Sequence, residues 1–133
     1  MPITYTQANK LLDYNFGSTA YTLPENYYIA LSTTAIQADG TGCTEPSGNS
    51  YARVQVPNNK TQFSVSQNGI LKNLEQIQFP ESTGNWGTII NIAIFDAPTG
   101  GNLLYYDSLT ESRTVESQTT LLFVPNSITI QLS

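Results

Sequence analysis

The sequence predicts an all-β fold, an antiparallel β-sandwich of jelly-roll type with about eight strands and one short N-terminal helix. Three observations predict it: short segments that alternate between apolar and polar residues, turn residues that separate these segments, and the lack of repeating strand–helix units. The 133-residue length suits one domain. We expect residues 1–133 to form it, because no linker-like segment divides the chain.

The helical pattern lies at the N-terminus. Thr6 is expected to cap a helix in which Leu11, Leu12 and Phe16 recur at helical spacing, and a glycine follows directly. A helix of about ten residues is too short to be stable alone. The segment 1–20 is therefore expected to pack this apolar stripe either on its own sheet or on a neighbouring subunit.

Alternation and turn residues delimit the strands, and the most apolar of them is expected at the centre of a sheet. The predicted strands are 27–31, 51–56, 63–67, 70–79, 86–95, 103–106, 119–124 and 128–132. In the fifth of these, Ile92 and Ile94 are expected on one face, with Ile89 and Phe95 on the other. Apolar residues on both faces indicate a strand that is covered on both sides.

Charge is unusually scarce in this sequence. Charged residues make up 11% of the chain and the net charge is −5, whereas Thr, Ser, Asn and Gln together number 50. Phosphate backbones and anionic lipids are bound by clustered cations, and the five Lys and Arg residues lie far apart. We therefore expect no binding of nucleic acid. Since no segment approaches the roughly 20 apolar residues that a membrane helix needs, we also expect no membrane insertion.

The residue types needed for most catalysis are missing. The chain has no histidine and one cysteine, which excludes Ser–His–Asp and Cys–His sites and the usual zinc ligand sets. No phosphate-binding motif is present either. The sequence therefore predicts a non-enzyme without cofactor or metal.

Two carboxylate sites remain as alternatives to that prediction. Asp96 and Asp107 flank a predicted hairpin, and a glycosidase needs two such acids about 5–10 Å apart. The competing interpretation is that Asp96 starts the turn and Asp107 lies at a solvated strand end. Asp39 and Glu45 are candidate calcium ligands, although the spacing of known calcium loops is absent.

The remaining candidates are surface and structural residues. Tyrosines at successive strand positions point to opposite faces, so Tyr28 and Tyr106 are expected to be outward. Together with Leu11, Leu12 and Phe16 they form the predicted contact surface. Arg53 lies in a segment poor in charge, and Glu45 is its predicted partner.

Several segments carry a resemblance to a known family. They are YIALSTT at 28–34, DGTGCTEPSG at 39–48, SYARV at 50–54, IQFP at 77–80, WGTI at 86–89, IFDA at 94–97 and GGNLL at 100–104. In this order they resemble a widespread family of small bacteriophage virion proteins, commonly labelled tail-fibre or tail proteins. The resemblance implies a β-sandwich virion component that acts in several copies, and it transfers no catalytic residue.

The expected function is that of a non-enzymatic virion structural protein of tail or fibre type that acts through protein–protein contacts. Its expected partners are copies of itself, with a trimer as the first expectation, and other phage virion proteins. Two alternatives stay open. One is a capsid decoration protein, and the other is a carbohydrate-binding module that recognises a bacterial surface glycan.

Overall fold

A computed structural model describes residues 1–132, so the last residue of the predicted 1–133 domain lies outside the described residues. Within them the chain is mostly antiparallel strand, with one helix and eight strands, which confirms the predicted fold class. The elements are α1 (Tyr5–Asn15), β1 (Asn26–Ser32), β2 (Val54–Pro57), β3 (Ile70–Lys72), β4 (Ile77–Gln78), β5 (Gly87–Phe95), β6 (Leu103–Val115), β7 (Leu122–Phe123) and β8 (Thr129–Gln131).

The main layer is a four-stranded antiparallel sheet with the strand order β2-β1-β5-β6. Its β1 and β5 place Ile29 opposite Ile94 and Leu31 opposite Ile92, so these four side chains share one face. All four are almost completely buried. The predicted central position of the 86–95 strand is confirmed, because β5 pairs with a strand on each side.

The second layer consists of two short ribbons, β3 with β8 and β4 with β7. Along the chain the β3–β8 pair encloses the β4–β7 pair, which encloses the β5–β6 hairpin. This nested pairing, in which one long hairpin folds over, is that of a jelly roll. The main core lies between the ribbons and the sheet. Its buried members include Val56, Phe79, Trp86, Leu121 and Ile128.

The other face of the sheet is covered by the long loop 33–50. Ile36 from this loop packs with Ala30, Ala93 and Phe95 in a second, smaller apolar cluster. Because both faces of β1 and β5 are covered, these two strands are buried along most of their length.

Two predicted strands are wrong. Residues 63–67 form only isolated bridges, from Phe63 to Asn73 and from Gln67 to Ile70. The predicted strand 70–79 is divided into β3 and β4. The division occurs at Asn73, whose buried side-chain amide donates to the carbonyls of Glu75 and Val124, while its oxygen accepts the backbone N–H of Ile128. Side-chain hydrogen bonds to the backbone replace the ladder at this point.

The predicted strand 103–106 is too short, since β6 continues to Val115. Its pairing with β5 shifts between Ile89, which lies opposite Arg113, and Asn91, which lies opposite Ser108. Over this interval β5 advances by two residues and β6 by five, so β6 carries the extra residues. A bulge of this kind breaks the alternation of faces. Ile89 therefore joins Ile92 in the main core, which corrects the prediction that it faces away from it.

The N-cap lies two residues before the predicted one, and the helix begins at Tyr5. Thr4 is the N-cap: its side chain accepts a hydrogen bond from the backbone N–H of Gln7 and donates to the carbonyl of Leu103 at 2.7 Å. Its own N–H donates to the carbonyl of Leu104. The predicted cap at Thr6 is wrong because Thr6 already lies inside the helix, and the residue before the helix whose side chain accepts a helical N–H is Thr4.

Candidate contact surface

One stripe of α1 faces solvent although it is apolar. Tyr5, Leu12 and the C-cap residue Phe16 are 63%, 55% and 82% exposed. Their spacing of seven and four residues, with Asn9 between them, places all four on one side of the helix. We call Tyr5, Asn9, Leu12 and Phe16 the helix stripe.

The opposite side of α1 faces the sheet. Gln7 is buried, and Leu11, one turn later on the same side, is half-buried. The helix packs against β6, and the N–H of Tyr5 also donates to the carbonyl of Ala38. The structure therefore separates the predicted Leu11–Leu12–Phe16 stripe: Leu11 turns towards the sheet, and Leu12 and Phe16 turn away from it.

The two predicted contact tyrosines lie in a different part of the molecule. Tyr28 and Tyr106 are half-buried and pack against the second apolar cluster, around Ala30 and Ala93. Tyr106 also donates its backbone N–H to the carbonyl of Pro2. The structure does not bring these tyrosines into the helix stripe.

Arg53 and Glu45 are brought together in a largely buried network. Two nitrogens of Arg53 donate to the two carboxylate oxygens of Glu45, at 2.9 and 2.8 Å. Its remaining terminal nitrogen donates to the carbonyls of Ala97 and Gly100, and the guanidinium carbon lies 3.6 Å from the centre of the Phe95 ring. A planar guanidinium can make all of these contacts at once, whereas an ammonium group cannot.

The same carboxylate receives a third hydrogen bond. The Tyr51 hydroxyl donates to Glu45 Oε1 at 2.7 Å and accepts the backbone N–H of Leu31 in β1. Burial raises the pKa of Tyr51, and so does the contact with Glu45. The hydrogen bond from Leu31 acts in the opposite direction but is outweighed. The network thus fixes the loop 33–50 to the sheet and to the β5–β6 connection, which is a structural role.

Acid is expected to weaken this network. Burial raises the pKa of Glu45, but the hydrogen bonds from Arg53 and Tyr51 and the charge of Arg53 outweigh it, so the pKa lies below its usual 4.5. A carboxyl with a lowered pKa in the folded state stabilises the fold above the unfolded pKa, and this contribution is lost as the pH falls through the folded value. We expect the free energy of unfolding, measured in urea, to decline below about pH 4.5.

The control is Glu45→Gln, which cannot ionise. Its decline with acid is expected to be shallower than that of the unmodified protein, with the remainder coming from Asp39 and Asp96, whose pKa values are also lowered. An equally steep decline in both proteins would show that Glu45 does not carry the effect.

The carboxylates considered for catalysis do not converge. Asp96 accepts the backbone N–H and the side-chain amide of Asn102, and so closes the β5–β6 connection. Asp107 lies opposite Ile92, four residues along β5 from Asp96, or about 13 Å at the usual strand rise. It forms an ion pair with the N-terminal ammonium at 3.8 Å. The two acids hold separate structural contacts, and their spacing exceeds that of a glycosidase pair.

The candidate calcium ligands are also separated in their roles. Asp39 accepts hydrogen bonds from the backbone N–H and hydroxyl of Thr41, and Glu45 is held by Arg53. In the described part of the chain, no three Cys, Asp or Glu side chains come together as a possible metal site. The single helix within residues 1–132 has neither the length nor the apolar character to cross a membrane.

Two features of the surface were not predicted from the sequence. Tyr5 belongs to the helix stripe and lies seven residues before Leu12, but the predicted cap at Thr6 placed it outside the helix. A pocket between the two layers, bordered by Tyr27 and Tyr105, was also missed. Its residues come from distant segments, so no local sequence pattern predicts it.

Comparison with known proteins identifies the family. No curated protein matches the chain. A family model described as "Podophage GP4 fiber I protein gp80" matches residues 2–131. This agrees with the tail-fibre resemblance seen in the sequence and places the chain among phage fibre proteins, a class of virion component. Since the match spans nearly the whole chain, the protein belongs to the Podophage GP4 fiber I protein gp80 family.

Proposed function

We propose that this protein is a non-enzymatic structural subunit of a phage fibre, in which residues 1–133 assemble as one domain through contacts with copies of itself and with other virion proteins. Family membership supports the virion role. The observation that carries the proposal is the helix stripe, an exposed apolar surface on the side of α1 that the other described residues leave uncovered.

Burial of the helix stripe would be favourable. Fully burying a large apolar side chain contributes about 1.5–3 kcal/mol, and Leu12 and Phe16 are both more than half exposed. The stripe carries no charge, so no ionised group would be desolvated in a contact. The most favourable cover for such a stripe is another apolar helix surface.

The spacing of the stripe suits a bundle of identical helices. Tyr5, Asn9, Leu12 and Phe16 follow each other at intervals of four, three and four residues, which is the seam of a coiled coil. Asn9 then lies at a position where a polar residue fixes the register of paired helices. With one such helix in each subunit, we propose a trimer whose α1 helices meet around a threefold axis.

The double substitution Leu12→Gln with Phe16→Gln is expected to dissociate this assembly. Sedimentation equilibrium of the unmodified protein should give about 44 kDa, three times the 14.6 kDa of one chain, and the double variant should give the mass of one chain. The loss of about 3–6 kcal/mol of apolar burial per subunit is enough to change the state at micromolar concentration.

The matched control is Val65→Thr with Val124→Thr, which removes two exposed apolar residues from other surfaces. The control should remain trimeric. A monomeric unmodified protein at high concentration, or a double variant that keeps the trimer, would contradict the proposal. If the unmodified protein is a dimer and the double variant is a monomer, the helix stripe is the interface but the proposed trimer is wrong.

The place in the particle distinguishes the fibre role from capsid decoration. Gold-labelled antibody against the protein, viewed on intact particles by electron microscopy, is expected to mark fibres at the tail. Labels spread over the capsid surface would support decoration instead.

A further inference from the structure

A pocket of about 300 Å³ opens at one end of the sandwich, between the four-stranded sheet and the β3–β8 ribbon. Tyr27 and Tyr105 border it from the sheet, and Phe63 forms part of its floor with aliphatic side chains from both layers. Tyr27 meets the Phe63 ring edge-on, with 6.0 Å between ring centres. The volume of the pocket is at the lower end of the range for small-molecule sites, which suits a ligand of one or two rings.

The rim of this pocket carries hydrogen-bonding groups that the described chain leaves unused. The Asn59 side-chain oxygen accepts from the N–H groups of Thr61 and Gln62, which fixes the amide and leaves its NH₂ without a partner among residues 1–132. Asn58 donates to the carbonyl of Pro24, and its oxygen has no partner in the same range. The Tyr27 hydroxyl likewise makes no hydrogen bond within the described residues, and burial with the nearby Tyr105 and Tyr21 raises its pKa to about 12.

We propose that this pocket binds a neutral carbohydrate unit, with a sugar ring against the aromatic floor and its hydroxyls on Tyr27, Asn58 and Asn59. A pyranose has C–H groups on its faces and hydroxyls around its edge, which matches an apolar floor under a rim of donors and acceptors. The rim carries one charge, Lys60, whose ammonium donates to the carbonyl of Ser64. A ligand with several negative charges would therefore meet only this one cation among the described lining residues.

An apolar side chain from a second copy fits the pocket less well. It would cover the Tyr27 hydroxyl and the two amide groups without supplying partners, at about 1–3 kcal/mol for each buried unsatisfied group. A sugar satisfies the same groups. This difference selects carbohydrate over a subunit contact as the occupant.

The test is saturation-transfer NMR on the full chain with D-glucose, D-galactose, D-mannose, L-rhamnose and N-acetylglucosamine at high millimolar concentration. We expect transfer to at least one of these sugars. Tyr27→Phe, which removes only the hydroxyl, and Asn59→Asp, which keeps the accepting oxygen, should each weaken it about five- to tenfold. Asn85→Asp makes the same change on an exposed residue outside the pocket and should have no effect.

If no sugar of the panel received saturation from the protein, the proposal would be overturned, as it would by binding that the Tyr27 and Asn59 variants leave intact. The measurement is repeated on the Leu12→Gln/Phe16→Gln protein. Because the pocket lies within one chain, binding should persist there whether or not the subunits associate, so this outcome is independent of the proposed assembly. Sugar binding by that variant alone would show that a neighbouring subunit fills the pocket.

Discussion

Replacing Glu45 by alanine is expected to lower the free energy of unfolding by about 3–5 kcal/mol, because it leaves a buried guanidinium without its counter-charge. The Arg53 side chain is 7% exposed and forms two direct hydrogen bonds with Glu45. The substitution also removes the acceptor of the Tyr51 hydroxyl. Urea unfolding of Glu45→Ala, Arg53→Met and the double variant measures the effect as a thermodynamic cycle.

The cycle distinguishes a specific pair from general loss of packing. The double variant should be less destabilised than the sum of the two single variants, since removing both partners leaves no unpaired buried charge. The exposed Glu111→Ala is the control and should change stability by no more than about 0.5 kcal/mol. Additive single effects would contradict the coupling. Arg53→Lys should not restore stability, because one ammonium cannot reproduce the paired bonds.

Phe79→Ala is expected to destabilise the protein by about 3–5 kcal/mol, the usual cost of emptying the site of a buried aromatic ring. Phe79 is 1% exposed. Its ring is stacked with that of Tyr51 at 6.3 Å between ring centres, and it meets the Phe123 ring at 6.3 Å with an angle of 69° between the ring planes. It therefore lies where the four-stranded sheet, the loop network and the β4–β7 ribbon join. Chemical unfolding monitored by circular dichroism measures the loss.

The control for this substitution is Val65→Ala, at a side chain that is 78% exposed. It should leave the free energy of unfolding within about 0.5 kcal/mol of the unmodified protein. A loss below about 1 kcal/mol for Phe79→Ala would mean that the layers do not pack through this ring as described.

The fold class could be predicted because burial makes a strand apolar on each face that is covered, and turn residues separate such strands. The clearest case is β5, whose apolar residues on both faces indicated its central position. The details that failed depend on backbone irregularities. Ile89 was assigned to the wrong face because a bulge cannot be seen in the alternation, and the break at Asn73 arises from bonds to residues more than fifty positions away.

The contact surface could be predicted only in part. Helical spacing identified Leu12 and Phe16 as apolar positions of one short helix, but which side of that helix meets the sheet depends on the anchor at Thr4. Tyr28 and Tyr106 were expected outward because alternation does not reveal that the loop 33–50 covers their face. The pocket near Tyr27 depends on how two layers diverge, which no segment of the chain encodes by itself.

The most direct test of the proposed assembly is electron cryomicroscopy of the purified oligomer at side-chain resolution. We expect three copies whose α1 helices meet at the symmetry axis, with Leu12 and Phe16 buried between subunits. Helix stripes that remain in solvent while the subunits associate through another surface would contradict the proposed interface.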